Sequence, residues 1–248
     1  MSDYVSENLA APDLSAHFPN MVAGDKKSAT WPYFRREIEH TWYVDRRDPQ
    51  IGFINTDEAS ILYSNAKLFA GRRGLEIGAW RGWSSCHLLA AGLATLHIVE
   101  PKLADPDWNR EFAAAVAAVG GAGRAIFVPG FSPAEVVRLG ESGQRWSFAF
   151  IDGDHDGDAP KNDALATIRF LEPTAMILLH DLASPHVAAA LHVLKAQGWR
   201  TMVYQTAQIM GVAWRGDVSP VRHKPDPSQI WRSPPHLAGL PIEAGNLA

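Results

Sequence analysis

The sequence predicts a doubly wound α/β fold with a mostly parallel sheet and a C-terminal antiparallel hairpin. Between residues 56 and 198, segments with helical spacing of apolar residues alternate strictly with short apolar runs. These runs are nearly continuous, which is typical of parallel strands that are buried on both faces. The length of 248 residues suits one large domain. Helices are therefore expected on both faces of one sheet.

The individual elements follow from local signals. A helix is expected over 56–70, because Thr56-Asp57-Glu58 is a typical helix start and apolar residues then recur at helical spacing. Strands are expected at 74–79, 95–101, 125–130, 147–154 and 175–181, and helices at 83–94, 107–120, 132–141, 159–171 and 186–198. The segments 199–206 and 208–216 are separated by a single residue, which predicts the hairpin.

The chain divides into three regions: an N-terminal arm or cover over 1–50, a main domain over 51–216, and an irregular proline-rich tail over 217–248. Residues 1–30 are polar and weakly periodic, so we expect a flexible or loosely docked arm. Residues 31–50 mix aromatic and charged side chains. We expect a short helix there whose aromatic face covers the core, and a cover over a ligand pocket is the less favoured alternative.

Composition and charge exclude several classes of protein. The net charge of −4 argues against a surface that coats nucleic acid. The single cysteine, Cys86, excludes an intramolecular disulfide and a structural zinc site of the cysteine type. The sequence contains neither the roughly 20 apolar residues that span a bilayer nor a signal-peptide pattern at its start. We expect a cytoplasmic protein without nucleic-acid or membrane partners, and a homo-oligomer is left open.

A glycine turn follows the first strand of the predicted sheet. Glu76 precedes Gly78, and Gly82 follows at G-x-x-x-G spacing, with Trp80 and Arg81 between the glycines. A dinucleotide fold needs G-x-G-x-x-G to hold a pyrophosphate, and that spacing is absent. The turn suits a ligand without phosphate at this point, whose sulfonium or α-amino cation can meet Glu76. A purely structural turn is the alternative.

The next strand ends carry further candidate ligand-binding residues. Glu100 ends its strand 22 residues after Gly78, where a carboxylate can accept hydrogen bonds from ribose hydroxyls, although a solvated strand end would look the same. Gly-Phe-Ser at 130–132 and Asp-Gly-Asp-His at 152–155 follow the third and fourth strands. The carboxyl ends of parallel strands share one edge of a sheet, so these residues predict a ligand site at that edge.

Together these motifs resemble the class I S-adenosylmethionine-dependent methyltransferases, and within them the small-molecule O-methyltransferases of the catechol and macrolide-sugar types. The quoted motifs are LEIGAWRGWS at 75–84, IVEP at 98–101, FIDGDH at 150–155, LLHD at 178–181 and GVAWRG at 211–216. The resemblance implies a Rossmann-like methyltransferase domain over 51–216. It also implies S-adenosylmethionine as cofactor and a small molecule as acceptor.

The resemblance assigns roles to individual residues. Glu76, Gly78 and Gly82 would contact the methionine part of the cofactor, and Glu100 would hold the ribose. Phe131 and Ser132 would lie near the adenine. Asp152 would share a rim with Glu76 and Glu100 around the nucleoside, and it would bind a divalent metal together with Asp181. His155 would act as the general base on the acceptor hydroxyl.

Whether a metal is bound is left open by one departure from the family pattern. His180 precedes Asp181 where some relatives have a second oxygen ligand, and Mg²⁺ prefers oxygen, so a softer divalent metal would fit better. The carboxylates of Asp152 and Asp181 are equally explained as caps of the following helices. A calcium loop beginning at Asp152 is disfavoured, because an apolar strand rather than a helix precedes it. The histidines at 155, 180 and 186 are expected to cluster.

The sequence therefore favours an enzyme that transfers a methyl group to a hydroxyl of a small molecule or sugar. Two alternatives remain at this point. One is a nicotinamide-dependent oxidoreductase on a similar sheet, and the other is a non-catalytic member of the fold that binds only a cofactor or a partner.

Overall fold

Strands and helices alternate from residue 56 onward, as the sequence predicts. The computed structural model describes residues 4–243. Its elements in chain order are β1 (Met21–Ala23), β2 (Tyr43–Asp45), β3 (Asp48–Phe53), α1 (Thr56–Lys67), β4 (Arg73–Ile77), α2 (Trp83–Ala90), β5 (Thr95–Val99), α3 (Pro106–Ala118), β6 (Ala125–Val128), α4 (Ala134–Glu141), β7 (Trp146–Ile151), α5 (Ala159–Ile168), β8 (Leu171–Leu179), α6 (Pro185–Ala196), β9 (Arg200–Tyr204) and β10 (Met210–Arg215). No helix in this range has the length and hydrophobicity that a bilayer span needs.

The main sheet has seven strands in the order β6-β5-β4-β7-β8-β10-β9. Strands β4 to β8 pair in parallel, and β10 pairs antiparallel with both β8 and β9. The predicted doubly wound fold with its C-terminal hairpin is confirmed. The second strand of the hairpin, not the first, joins the parallel strands. The strand order reverses between β4 and β7, which creates a crevice at their carboxyl ends.

Both faces of the sheet are buried, because alternate side chains of each strand enter different cores. In β7, Phe148 and Phe150 pack into the core that is shared with α1, α2 and α3. Ala149 and Ile151 of the same strand pack into the core that is shared with α4, α5 and α6. This two-sided burial explains why the strands have nearly continuous apolar sequences.

The N-terminal region forms a small antiparallel sheet of β1, β2 and β3, so the helix that was predicted over 31–50 is wrong. Trp42 explains the difference. A side chain at Gly24 would come within 2.6 Å of the Trp42 ring, and one at Gly52 would overlap it. Gly24, directly after β1, and Gly52, in β3, therefore make room for this indole. Leu14 and Phe18 are buried in the main core, so this arm is docked rather than loose.

The irregular tail is attached to the domain by its last described residues. The backbone N–H of Val203 donates to the carbonyl of Pro241 (2.8 Å), and the N–H of Glu243 donates to the carbonyl of Val203 (3.0 Å). The ring of His223 is buried between Glu243 Oε1 (2.8 Å) and Asp57 Oδ2 (2.9 Å), which connects the tail to α1. Residues 244–248 of the predicted tail and residues 1–3 of the predicted arm lie outside the described residues.

Candidate active site

A cavity of about 470 Å³ lies beyond the carboxyl ends of the central strands, where the strand order reverses. Its volume is within the usual range for a small-molecule or cofactor site. Three groups of side chains surround it. They are the strand-end residues 77–80, 99–101, 130–132, 152–155, 180 and 181, the N-terminal residues 31, 40–42 and 50–55, and residues 58, 83, 84, 159, 163 and 208.

The glycine turn brings the ends of β4 and β7 close together. Gly78 lines the cavity at φ +77°, and a side chain there would overlap the carbonyl of Asp152. Gly82, at φ +90°, caps α2. A Cβ atom added there would lie only 3.0 Å from the Phe112 ring, so the glycine leaves space for that ring. Gly82 is not part of the cavity lining. The two glycines therefore shape the crevice, and only Gly78 borders it.

Glu76 lies in β4 outside the lining of the cavity, fully buried against α2. One of its oxygens accepts a short hydrogen bond from Ser85, and the other, Oε1, has no partner among residues 4–243. Burial raises the pKa of Glu76 to about 8, and the charges of Asp152 and Glu100 add to this effect. The expected rim of three carboxylates thus has Glu100 and Asp152 on the cavity and Glu76 behind them.

Glu100 organises the glycine turn. Its Oε2 accepts hydrogen bonds from the backbone N–H groups of Ala79 and Trp80, both at 3.1 Å. Its Oε1 accepts one from the N–H of Lys102 at 2.8 Å. A carboxylate oxygen has two lone pairs, so Oε1 retains the capacity to accept from a hydroxyl in the cavity.

Phe131 and Ser132 follow β6 and line the end of the cavity that is next to this strand. Phe131 lines it with 73% of its surface exposed, the most of any large apolar side chain among the described residues. The hydroxyl of Ser132 donates to Oδ2 of Asp163 (3.0 Å) on α5. An exposed aromatic face beside a fixed polar pair is suited to a flat heterocycle.

Asp152, His155 and Asp181 converge beside the cavity. The Nε2 atom of His155 lies 3.3 Å from both Asp152 Oδ1 and Asp181 Oδ2. One ligand atom from each residue can be chosen so that all three lie within 4.8 Å of one another, an arrangement that could hold a metal ion. Asp181 has a φ of +64°, a strained conformation of the kind that clusters at functional sites.

Both histidines of this cluster carry raised pKa values. Burial disfavours a charged ring, but the carboxylates of Asp152 and Asp181 outweigh it and raise the pKa of His155. His180 is buried next to it, with Nδ1 at 3.2 Å from Asp181 Oδ2 and Nε2 at 3.1 Å from Glu58 Oε2. Burial is again outweighed, chiefly by Asp181 and Glu58, and the pKa of His180 lies well above its usual value. His186, in the first turn of α6, is not part of the cavity lining.

Sequence reasoning missed Glu58 and Gln208. Glu58 was interpreted only as part of a helix start, and it does complete a capping box with Asn55. Its Oε1 also accepts from the backbone N–H of Gln208 (2.9 Å), whose side-chain amide donates to Asp181 Oδ1 (3.3 Å). The Asn-x-x-Glu spacing predicts a helix N-cap, but no local sequence pattern predicts these long-range contacts.

Trp31 packs against the core, as expected, and it also lines the cavity. Its ring centroid lies 5.9 Å from that of His155. Trp42 lines the cavity as well. The N-terminal segment therefore forms part of the wall.

Residues 75–182 match the sequence profile of a family that is described as a methyltransferase domain. The match begins in β4 and extends past Asp181, so it includes the glycine turn and the acidic cluster. This segment has the sequence profile of a methyltransferase domain. The resemblance that was drawn from the sequence is confirmed, and the nicotinamide-dependent alternative is not favoured. Among curated proteins, none is significantly similar to the chain in sequence.

Solved structures share the fold of this methyltransferase domain at low sequence identity. An O-methyltransferase from Bacillus cereus in complex with SAH is 13% identical, with a TM-score of 0.55 over 66% of this chain and 83% of its own. TomG from Streptomyces achromogenes, an O-methyltransferase of tomaymycin synthesis in complex with SAM, is 17% identical, with a TM-score of 0.55 over 66% and 82%. A precorrin-6y C5,15-methyltransferase from Geobacter metallireducens is 14% identical, with a TM-score of 0.53 over 66% and 90%. These likenesses concern the fold alone.

Proposed function

We propose that the protein is an S-adenosylmethionine-dependent O-methyltransferase that acts on a hydroxyl of a small molecule. The observation that carries this proposal is the convergence of Asp152, His155 and Asp181 beside a cavity within a methyltransferase domain. Two structural neighbours are O-methyltransferases with SAH or SAM bound. Their names support both the reaction and the cofactor.

The cavity suits this cofactor at several points. Gly78 borders the cavity without a side chain of its own, and Glu100 retains an acceptor for a ribose hydroxyl. Phe131 offers an exposed face for the adenine. Glu76 lies behind the turn with an unpartnered Oε1 among the described residues, and a cationic group bound at the turn would oppose the raised pKa of this carboxyl. The methionine end is therefore assigned to the β4 turn and the adenine end to the loop after β6.

The acidic cluster fits a divalent metal. Two carboxylate oxygens and one imidazole nitrogen form a mixed donor set, which suits Mn²⁺, Fe²⁺ or Zn²⁺ better than Mg²⁺. When bound, such an ion would lower the pKa of a coordinated acceptor hydroxyl and orient it. His180 and Gln208 would hold the ligands in place through their contacts with Asp181.

The residues around the cavity would position the acceptor and protect the methyl transfer from water. Methyl transfer from a sulfonium needs the acceptor oxygen in line at near-attack distance and a site that is poor in water. Trp31, Trp42 and Trp80 line the cavity, and their apolar rings would keep water from the reacting atoms. If His155 binds a metal through Nε2, that atom cannot take the hydroxyl proton. The roles of His155 as ligand and as general base are therefore alternatives that metal dependence separates.

The test is methyl transfer from S-adenosylmethionine to acceptors with one hydroxyl or with two adjacent hydroxyls, after EDTA treatment and after return of Mn²⁺ or Mg²⁺. We expect transfer to adjacent hydroxyls that EDTA abolishes and Mn²⁺ restores more fully than Mg²⁺. Transfer that EDTA leaves unchanged would assign His155 to the role of base instead. Cofactor binding without transfer to any acceptor would support a non-catalytic protein.

A further inference from the structure

Asp163 is a buried carboxyl that the proposed mechanism does not use. It lies on α5 and lines the cavity, with 2% of its surface exposed. Its Oδ2 accepts a hydrogen bond from the Ser132 hydroxyl at 3.0 Å. Its Oδ1 is buried and has no partner among residues 4–243. A carboxylate oxygen in this state is held in place and lacks a donor.

A buried acceptor without a partner costs free energy, so this oxygen favours a ligand with an N–H or O–H group. Burial raises the pKa of Asp163 to about 6 against the opposing effect of Ser132, which leaves the group mostly ionised at neutral pH. An ionised carboxylate only accepts hydrogen bonds. The group that meets it must therefore be a donor.

The surroundings narrow the class of donor. None of the described residues that line the cavity is Lys or Arg, and the two histidines with raised pKa values, His155 and His180, face the carboxylates of the acidic cluster. The wall formed by Phe131, Ser132 and Asp163 therefore offers no cation to a phosphate or carboxylate. Phe131, next to Ser132 in the chain, presents a largely exposed ring to the same end of the cavity. A neutral aromatic ring that carries an amino group satisfies both the flat face and the acceptor.

We propose that Asp163, held by Ser132, recognises the exocyclic amino group of the cofactor's adenine and so determines the choice of purine. This inference rests on the proposed function, because it assigns the adenine to this end of the cavity. A site that hydrogen-bonds a ligand N–H discriminates against an analogue that has a carbonyl oxygen there, since two acceptors then face each other.

The test compares binding of S-adenosylhomocysteine with binding of S-inosylhomocysteine, in which a carbonyl oxygen replaces the amino group. For the wild-type chain we expect the adenine compound to bind about 10- to 100-fold more tightly, as for a hydrogen bond to a charged group. In Asp163→Asn the side-chain amide can donate to the carbonyl oxygen of inosine, so the preference is lost or reversed. Asp156→Asn removes an exposed carboxylate outside the lining and leaves the preference unchanged.

Equal binding of the two ligands to the wild type, or an unchanged ratio in Asp163→Asn, would overturn this inference. If Asp163→Asn does not fold, Ser132→Ala replaces it, and we expect a smaller preference there because the carboxylate loses its anchor. An unchanged ratio in that variant would overturn the inference equally. Failure of the wild type to bind either ligand would instead contradict the proposed function.

Discussion

The Nε2 atom of His155 lies 3.3 Å from Oδ2 of Asp181, although the two residues follow different strands. The parallel register of β7 and β8 pairs Ile151 with Leu179, so both strands end at the same level. Residues just beyond those ends must then meet at one edge of the sheet. The acidic cluster is thus a direct consequence of strand pairing.

Asp181→Asn should separate catalysis from cofactor binding. The substitution removes one charge and one oxygen ligand, so we expect the rate of methyl transfer to fall about 100-fold or more and the affinity for Mn²⁺ to fall as well. Affinity for S-adenosylhomocysteine should change little, because Asp181 follows β8 whereas Phe131 follows β6, and three strands separate these two in the sheet. Steady-state kinetics measures the rate and calorimetric titrations measure the two affinities, with Asp156→Asn as the control. Equal activity in the two variants would remove Asp181 from the site.

Gly78→Ala tests the close approach of β4 and β7. The φ value is +77° at both Gly78 and Gly71, but no described atom lies within 4 Å of a side chain added at Gly71, whereas one at Gly78 would overlap the Asp152 carbonyl. We expect Gly71→Ala to lower the free energy of unfolding by about 1 kcal/mol and Gly78→Ala by about 3 kcal/mol or more. Denaturant unfolding measures both. Equal losses would show that only the backbone conformation matters.

Phe131→Ala tests the adenine platform. The side chain is 73% exposed, so its removal should leave the free energy of unfolding almost unchanged. Loss of stacking on the purine should weaken the binding of S-adenosylhomocysteine about tenfold. Ile126→Ala is the matched control, because Ile126 is also exposed but is not part of the cavity lining. If both variants bind like the wild type, the adenine does not lie against Phe131.

The His223 cluster predicts that stability falls at alkaline pH. Burial disfavours the charged ring, but Asp57 and Glu243 outweigh it and raise the pKa of His223 from 6.5 to about 9. Because the pKa of His223 is higher in the folded state, its charge contributes full stabilisation of the folded state below pH 6.5. This contribution is lost as the pH rises through about 9. We expect a loss of about 3 kcal/mol between pH 6.5 and 9.5.

Urea unfolding at several pH values measures this dependence. His223→Gln should be less stable than the wild type at pH 6.5 and should show a flatter pH profile. A wild-type profile that is flat over the same range would contradict the proposed charge on His223.

The sequence predicted the parallel sheet well, because each strand from β4 to β8 has a local signature of apolar run and breaker. It failed over residues 31–50, where aromatic residues among charges resemble an amphipathic helix. The strands there are specified by Trp42 and by the glycines at 24 and 52, which are distant in the chain. Such pairing leaves no periodic signal.

Prediction of the site had the same limit. Asp152, His155 and Asp181 follow strand ends, so their proximity could be predicted from topology. Glu58 lies on a helix and Gln208 in a loop, and their contacts depend on how those elements pack. Gly82 was expected at the cofactor, and the structure places it outside the cavity lining and against the Phe112 ring.

The proposed function requires that the crevice beyond β4 and β7 binds S-adenosylmethionine. Calorimetric titration of the full chain with S-adenosylhomocysteine, with NADH in parallel, measures this binding. We expect one site per chain for S-adenosylhomocysteine, with binding weakened by Phe131→Ala, and no binding of NADH. A folded protein that gives no heat with S-adenosylhomocysteine, or that binds NADH instead, would contradict it.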